Sequence, residues 1–155
     1  MTTGLLALYS GFVASPSATS AVSTAKTVDI ESQFAQTIDT SNREEVEKYV
    51  RDYYSETPIL AEVARCESTF RQTGISGNVI RGLINSKDVG AMQINETYHK
   101  KSANALGYDL HDLDGNLAYA THLYKQYGLS PWNSSSKCWK ATEAYKAYGK
   151  EIAKK

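Results

Sequence analysis

The stretch TPILAEVARCESTF, residues 57–70, decides the fold because it combines a helix start signal with the apolar spacing of a buried helix. Thr57 suits a helix N-cap, and Pro58 suits the first helical position, where its missing N–H costs nothing. Apolar residues then recur at helical spacing on two adjoining stripes. The stripes are Ile59–Val63–Cys66–Phe70 and Leu60–Ala64–Glu67. The pattern predicts an amphipathic core helix with one carboxylate, Glu67, at the edge of its buried face.

Glu67 is the residue of this helix that can carry chemistry. Partial burial raises the pKa of a carboxyl group because it penalises the charged form. A glutamic acid that keeps its proton near neutral pH can donate it to a leaving oxygen, as glycoside cleavage requires. The plainer interpretation is a solvated side chain, or one paired with Arg71 four residues later. Position alone favours the plainer interpretation, since most glutamates lie at the surface.

Further helices are predicted on both sides of this one. SNREEVEKYVRDYYSE starts with Ser41 or Asn42 as N-cap. NETYHKKSANALG should stop at Gly107, DLDGNLAYATHLYKQYG should be capped by Asp114 or Asn116 and end at Gly128, and a last helix is expected near 139–153. Residues 71–93 are Gly-rich and are predicted to be loop, with a turn at Gly90 and room for one short β-hairpin. The expected fold class is mainly α, with irregular loops.

The N-terminal part of the chain differs in composition from the rest. Residues 1–25 contain no charged residue, and GLLALYSGFVA at 4–14 is an apolar run followed by small residues. This is typical of a secretory signal, although the usual basic residues are missing. The run is too short to span a bilayer, and no later stretch is predicted to be transmembrane. We expect residues 1–40 to be a signal-like or flexible segment with a linker, residues 41–155 to be the folded domain, and the protein to be exported.

The composition disfavours several kinds of partner. Lysine plus arginine and aspartate plus glutamate each number 17, so the net charge is near zero. This balance favours neither nucleic acid nor an anionic membrane surface. His99, His111 and His122 are scattered, and DLHDLDGN at 109–116 lacks the twelve-residue calcium pattern of an EF-hand. No metal and no cofactor are expected, and the chain is expected to be a monomer.

Two motifs favour a chemical role for Glu67 over the plainer interpretation. CESTF, and DVGAMQIN at 88–95, resemble the lysozyme-like soluble lytic transglycosylase (SLT) domains, relatives of goose-type lysozyme. The Glu-Ser-x-Phe motif of that family is matched by Glu67, Ser68 and Phe70. Its Gly-Leu-Met-Gln-Ile/Leu motif is similar to residues 90–94, with Ala91 in the leucine position. Its third stretch, Asn-Ile/Leu-x-x-Gly-x-x-Tyr-Leu, is similar to NLAYATHLY at 116–124.

The resemblance implies a lysozyme-like fold and cleavage of the β-1,4 bond between N-acetylmuramic acid (MurNAc) and N-acetylglucosamine (GlcNAc) in peptidoglycan. Glu67 would be the catalytic acid and base at the C-terminal end of its helix. Ser68 would lie beside it, either hydrogen-bonding to substrate or fixing the site, and Met92 and Gln93 would line the saccharide groove. Core filling is an equal alternative for Met92, and a solvent-facing helix position is the alternative for Ser68.

Further substrate contacts are expected from aromatic and amide side chains. Trp132 offers a ring face for a sugar, whereas Trp139 is expected to anchor the last loop in the core. Asn95 and Tyr119 are additional candidates for substrate contact. The family motif Ala-Tyr-Asn-x-Gly, whose tyrosine orients the acid, is missing, and the candidates for that role are Tyr119, Tyr124 and Tyr145.

A second carboxylate would decide the mechanism, because most glycosidases need two. Asp88 is the acid between Glu67 and Glu96, although aspartate is also a common turn residue. Asn95 stands where some goose-type enzymes have an acid, and an amide cannot act as a base. This favours a non-hydrolytic route with a 1,6-anhydro product. A hydrolytic lysozyme, a non-catalytic peptidoglycan-binding module and a plain helical structural domain are the alternatives.

Cys66 and Cys138 are the two cysteines of the chain. In an exported protein they are expected to form a disulfide. The bond would tie the PWNSSSKCW segment, residues 131–139, to the residue beside Glu67. In a cytosolic protein two free buried thiols would be expected instead.

Overall fold

Helices make up most of the folded part of the chain. The computed structural model describes residues 38–152. In chain order the elements are α1 (Arg43–Tyr53), α2 (Pro58–Ser68), β1 (Asp88–Val89), β2 (Ile94–Asn95), α3 (Glu96–Ala105), α4 (Leu113–Tyr127), a 3-10 helix (Ser130–Ser135), α5 (Ser136–Trp139) and α6 (Glu143–Ile152). β1 and β2 are antiparallel, with Asp88 opposite Asn95 and Val89 opposite Ile94. The prediction of a mainly α fold with a small β-hairpin is confirmed.

α2 is the central helix of the core. Its side chains Ile59, Leu60, Val63 and Ala64 are buried, so both predicted stripes face inward. α1, α5, α6 and the 3-10 helix pack against it. Full burial of one such aliphatic side chain stabilises a fold by about 1.5–3 kcal/mol. The helix that carries Glu67 in its last turn is therefore held on several sides.

Polar caps set the helix starts. Asn42 is the N-cap of α1, and its Oδ1 accepts from the Glu44 N–H at 3.0 Å. The predicted N-cap of α4, Asp114 or Asn116, is wrong, because Asp112 accepts from the Gly115 N–H at 3.1 Å and α4 begins at Leu113. Asn116 lies inside the helix, where its side chain is fully buried.

Two buried amides hold the turn that connects β1 to β2. Gly90 has a φ of +72°, and a Cβ there would lie 2.5 Å from Asn116 Nδ2 and 2.6 Å from Gln72 Oε1. Gln72 Oε1 accepts from the Ala91 N–H at 2.8 Å, and Asn116 Oδ1 accepts from the Met92 N–H at 2.9 Å. Both amides are fully buried, and satisfied buried groups fix a single conformation. The GAMQ segment, residues 90–93, is therefore held in one conformation.

The C-terminal part differs from the single helix expected near 139–153. Thr142 interrupts it, because its Oγ1 donates to Trp139 O at 2.7 Å and accepts from the Tyr145 N–H at 3.2 Å. α5 and α6 are therefore separate helices. A Cys66–Cys138 disulfide joins α5 to α2.

The predicted N-terminal segment, residues 1–40, lies outside the described residues apart from its last three positions. Within residues 38–152, none of the helices has both the length and the apolar character that crossing a membrane requires.

Candidate active site

The end of α2 places Glu67 at the surface of the core. The helix stops because Thr69 and Phe70 adopt left-handed φ values of 55° and 58°. Ser68 stabilises this stop, since its Oγ donates to Ala64 O at 3.1 Å and accepts from the Arg71 N–H at 3.1 Å. Ser68 is only 2% exposed. Its hydroxyl therefore supports the helix end behind Glu67 instead of facing a groove or solvent, which agrees with the alternative in which Ser68 fixes the site.

Glu67 lies where two clefts meet. The first cleft has a volume of about 230 Å³, and the second has a volume of about 350 Å³. Glu67, Asp88, Gln93 and Ser134 line both clefts. The first is completed by Ile94, Asn95, Tyr98, His99, Leu123, Pro131 and Trp132. Together the clefts form an open groove with a carboxyl group near its middle.

Ser135 is the hydrogen-bond partner of Glu67. Its Oγ lies 2.7 Å from Glu67 Oε1 and donates to it, and it also lies 3.2 Å from Trp132 O. Burial raises the pKa of Glu67 above its ordinary value, the hydrogen bond from Ser135 opposes this rise, and the charge of Asp88 adds to it. The net result is a carboxyl group that holds its proton more firmly than an exposed glutamate does.

The β1–β2 hairpin supplies fixed polar side chains opposite Glu67. Asp88 Oδ1 accepts from Asn95 Nδ2 at 2.6 Å and from Asn85 Nδ2 at 3.3 Å. Asn95 Oδ1 in turn accepts from the Thr97 N–H at 3.0 Å, which caps α3. Gln93 has a φ of 48°, and its Nε2 donates to Gly90 O at 2.9 Å. These contacts hold Asp88, Gln93 and Asn95 in place before any ligand binds.

A comparison with protein families identifies the family of the chain. The model of the transglycosylase SLT domain family matches residues 44–155. The chain belongs to the SLT domain family. Comparisons with curated proteins and with solved structures found no significant match. Membership confirms the lysozyme-like fold and indicates peptidoglycan cleavage of the lytic transglycosylase type as the general activity of the domain.

Trp132, Trp139 and Met92 are packed together beneath the groove in this SLT domain. Trp132 lines the first cleft but is largely buried, and its Nε1 donates to Met92 O at 3.0 Å. Trp139 is buried in the core, and its Nε1 donates to Trp132 O at 3.0 Å. Met92 is fully buried. Its side chain fills the core, so the groove-lining alternative does not describe it, and Trp132 exposes only a small part of its surface to the cleft.

The three candidate tyrosines have other partners. The buried Tyr119 hydroxyl pairs with His99 Nδ1 at 3.1 Å, behind the first cleft, which His99 lines. Tyr124 and Tyr145 each pack against Tyr148 of α6. Ser135 bonds to Glu67 instead, and sequence reasoning missed it. The available signal was its place in PWNSSSKCW, the segment that the disulfide was expected to tie to Cys66.

The Cys66–Cys138 disulfide lies close in sequence to both partners of the Ser135–Glu67 hydrogen bond. Cys66 precedes Glu67 directly, Cys138 follows Ser135 by three positions, and the two Cα atoms are 5.9 Å apart. The bond therefore limits how far the α5 segment can move from the end of α2. A disulfide also fits an exported domain. Within residues 38–152, no cluster of His, Cys, Asp or Glu is arranged to hold a metal ion.

Proposed function

We propose that this SLT domain cleaves the β-1,4 bond between MurNAc and GlcNAc without water, with Glu67 acting first as acid and then as base. The observation that carries the proposal is the position of Glu67: a half-buried carboxyl with a raised pKa at the junction of two clefts, bonded to a hydroxyl. A carboxyl group with a raised pKa in a cleft is typical of catalytic acids, and this favours an enzyme over a non-catalytic binding module.

The reaction balances with one carboxyl group. Protonated Glu67 gives its proton to the glycosidic oxygen, the bond from that oxygen to C1 of MurNAc breaks, and GlcNAc leaves with a free 4-hydroxyl. The acetamido group of MurNAc stabilises the positive charge at C1. The Glu67 carboxylate then takes the proton of the MurNAc 6-hydroxyl, and O6 bonds to C1. The product is a 1,6-anhydro sugar, and Glu67 is protonated again.

Ser135 can serve Glu67 in both protonation states. Its hydroxyl has a single proton and two acceptors within reach, Glu67 Oε1 and Trp132 O. Donation to Glu67 stabilises the carboxylate. When Glu67 is protonated, the Ser135 hydroxyl can donate to Trp132 O and accept from Glu67. The proposal assigns to Ser135 the positioning that a tyrosine provides in the family motif.

Substrate contacts are proposed for the fixed amides of the hairpin. Gln93 and Asn95 line the first cleft, and amide groups suit the hydroxyl and acetamido groups of amino sugars. Trp132 is proposed to meet a sugar ring at the floor of the same cleft.

The test is digestion of purified peptidoglycan, followed by mass spectrometry of the released fragments. Wild type should release 1,6-anhydro muropeptides, and Glu67→Gln should lower the rate at least about 100-fold, because an amide cannot transfer the proton. Glu56→Gln, at an exposed position between α1 and α2, is the matched control and should keep the wild-type rate. Anhydro products released by Glu67→Gln at the wild-type rate would refute the proposal.

A hydrolytic outcome is the second candidate, because Asp88 lines both clefts together with Glu67 and its charge raises the pKa of Glu67. Asp88 would then activate a water molecule as a base. The same digest distinguishes the two routes. Hydrolysis gives reducing-end sugars that Asp88→Asn abolishes, whereas the non-hydrolytic route survives that substitution.

We also propose that the domain acts outside the cytoplasm. The disulfide and the apolar run at 4–14 support export. Counting thiols in protein isolated under denaturing, non-reducing conditions tests this, and two free thiols would contradict it.

A further inference from the structure

The second cleft continues the groove on the far side of Glu67. Its outer part is formed by Arg71 and by residues 80–85. Because the two clefts share Glu67, a strand bound for cleavage would bring the substituents of one sugar into this outer part. The chemistry of its rim therefore indicates what the substituent is.

Two aliphatic side chains project from this rim. Leu83 and Ile84 are both fully exposed. The loop that carries them is tied at its base, because the Gly82 N–H donates to Asp88 O at 2.8 Å and Arg81 Nη1 donates to Ser86 O at 2.9 Å. Neighbouring exposed aliphatic residues on a fixed loop at a cleft are unlike scattered surface residues and indicate a contact surface.

Arg71 places a cation beside this apolar rim. Its Nε donates to Ser68 O at 2.9 Å, which fixes one side of the guanidinium group. Arg81, the other arginine of the cleft, is paired with Glu96 at 2.7 Å. Among the described residues, no ion pair involves Arg71. A guanidinium group with free N–H donors fits a carboxylate from a ligand.

We infer that the outer cleft binds the peptide stem of peptidoglycan, with Arg71 on a stem carboxylate and Leu83 and Ile84 against its alanine methyl groups. The inference rests on the proposed function and extends it to a further part of the same substrate. The stem is a short peptide of alanine and acidic residues, so a cation next to two aliphatic side chains is complementary to it. The neutral GlcNAc ring offers neither group.

Binding to the full chain carrying Glu67→Gln tests this without turnover. Isothermal titration would compare the disaccharide GlcNAc–MurNAc with the same disaccharide carrying its peptide stem. The stemmed ligand should bind about fivefold more tightly, the upper end for an exposed ion pair. Arg71→Gln, and separately the pair Leu83→Ser and Ile84→Ser, should remove this preference. Arg43→Gln and Ile75→Ser, exposed positions away from the cleft, should leave it unchanged.

Three results would overturn the inference. Equal affinity for both ligands would exclude stem binding, and so would a lack of measurable binding of the stemmed ligand at millimolar concentration. If Arg71→Gln weakened the bare disaccharide as much as the stemmed one, Arg71 would contact the sugars that the two ligands share instead of the stem. The cleavage assay on wild type is independent of these titrations, so a failure here leaves the proposed function standing.

Discussion

Ser135→Ala removes one hydroxyl group and its hydrogen bond to Glu67. The side chain is half-buried, so the substitution leaves little empty space. A hydrogen bond to a charged group contributes about 1.5–3 kcal/mol. Because Glu67 is itself only half-buried, the lower value of about 1.5 kcal/mol applies, and this corresponds to about a tenfold decrease in kcat.

The same substitution should change the pH dependence in a definite direction. The Ser135 hydrogen bond lowers the pKa of Glu67 against the effect of burial, so its loss raises that pKa. The acid step needs protonated Glu67, and activity falls as pH rises through that pKa. The alkaline limb of the rate profile should therefore move to higher pH in Ser135→Ala, while KM changes little.

The assay is the initial rate of anhydro-muropeptide release between pH 4 and pH 9, with Ser136→Ala as the neighbouring control. Ser135→Thr keeps a hydroxyl group and should restore most of the rate. A uniform decrease in rate with an unshifted profile would mean that Ser135 only supports the local fold. A profile that moves to lower pH would refute the reasoning outright.

Three further predictions concern stability. Replacing Cys66 and Cys138 together by Ala should lower the free energy of unfolding by about 4 kcal/mol, because the disulfide closes a separation of 72 residues. Calorimetry should show this as a decrease of about 15 °C in Tm, and a decrease below about 3 °C would contradict the prediction. In urea unfolding, Gly90→Ala should destabilise the protein by about 3 kcal/mol, because its Cβ would meet two buried amides. Gly107→Ala, where φ is +80° and the surrounding space is open, should destabilise it by about 1 kcal/mol. Equal effects would be inconsistent with the steric argument. The hydrogen bond from Arg81, and after it the one from His111, lowers the pKa of Glu96 from 4.5 to about 2. The contribution of ionised Glu96 to the free energy of unfolding is therefore fully present above pH 4.5 and is lost as the pH falls through 2. Glu96→Gln should therefore destabilise by about 1 kcal/mol at pH 7 with a smaller effect at pH 2.5, and an effect that does not depend on pH would rule this out.

The sequence was informative where one local signal determined one local structure. The apolar spacing of residues 57–70 predicted α2, and Asn42 was one of two caps predicted for α1. The α4 cap was missed because three polar residues within 112–116 are suitable N-caps, and only the burial of Asn116 in the folded structure shows that it is not the cap. Local patterns do not contain that information.

In the candidate site, too, the sequence predicted some residues and missed the roles of others. Sequence motifs identified Glu67 and Gln93, and the structure places both in one groove. The motifs did not show that Met92 and Ser68 use their side chains for packing and for closing the helix end. Motif spacing reports which residues occur together, and it does not separate residues that contact a ligand from residues that hold those residues in place.

Ser135 illustrates why the partner of Glu67 could not be predicted from the family motif. The contact joins positions 68 residues apart, and it depends on the path of the 3-10 helix and α5 across the end of α2. That path is fixed by the disulfide, by Trp132 Nε1 on Met92 O and by Trp139 Nε1 on Trp132 O. Each of these three restraints lies within four residues of Ser135. A chain that holds this segment so firmly can position the acid with a short serine, because the backbone, instead of a long tyrosine side chain, brings the hydroxyl into reach.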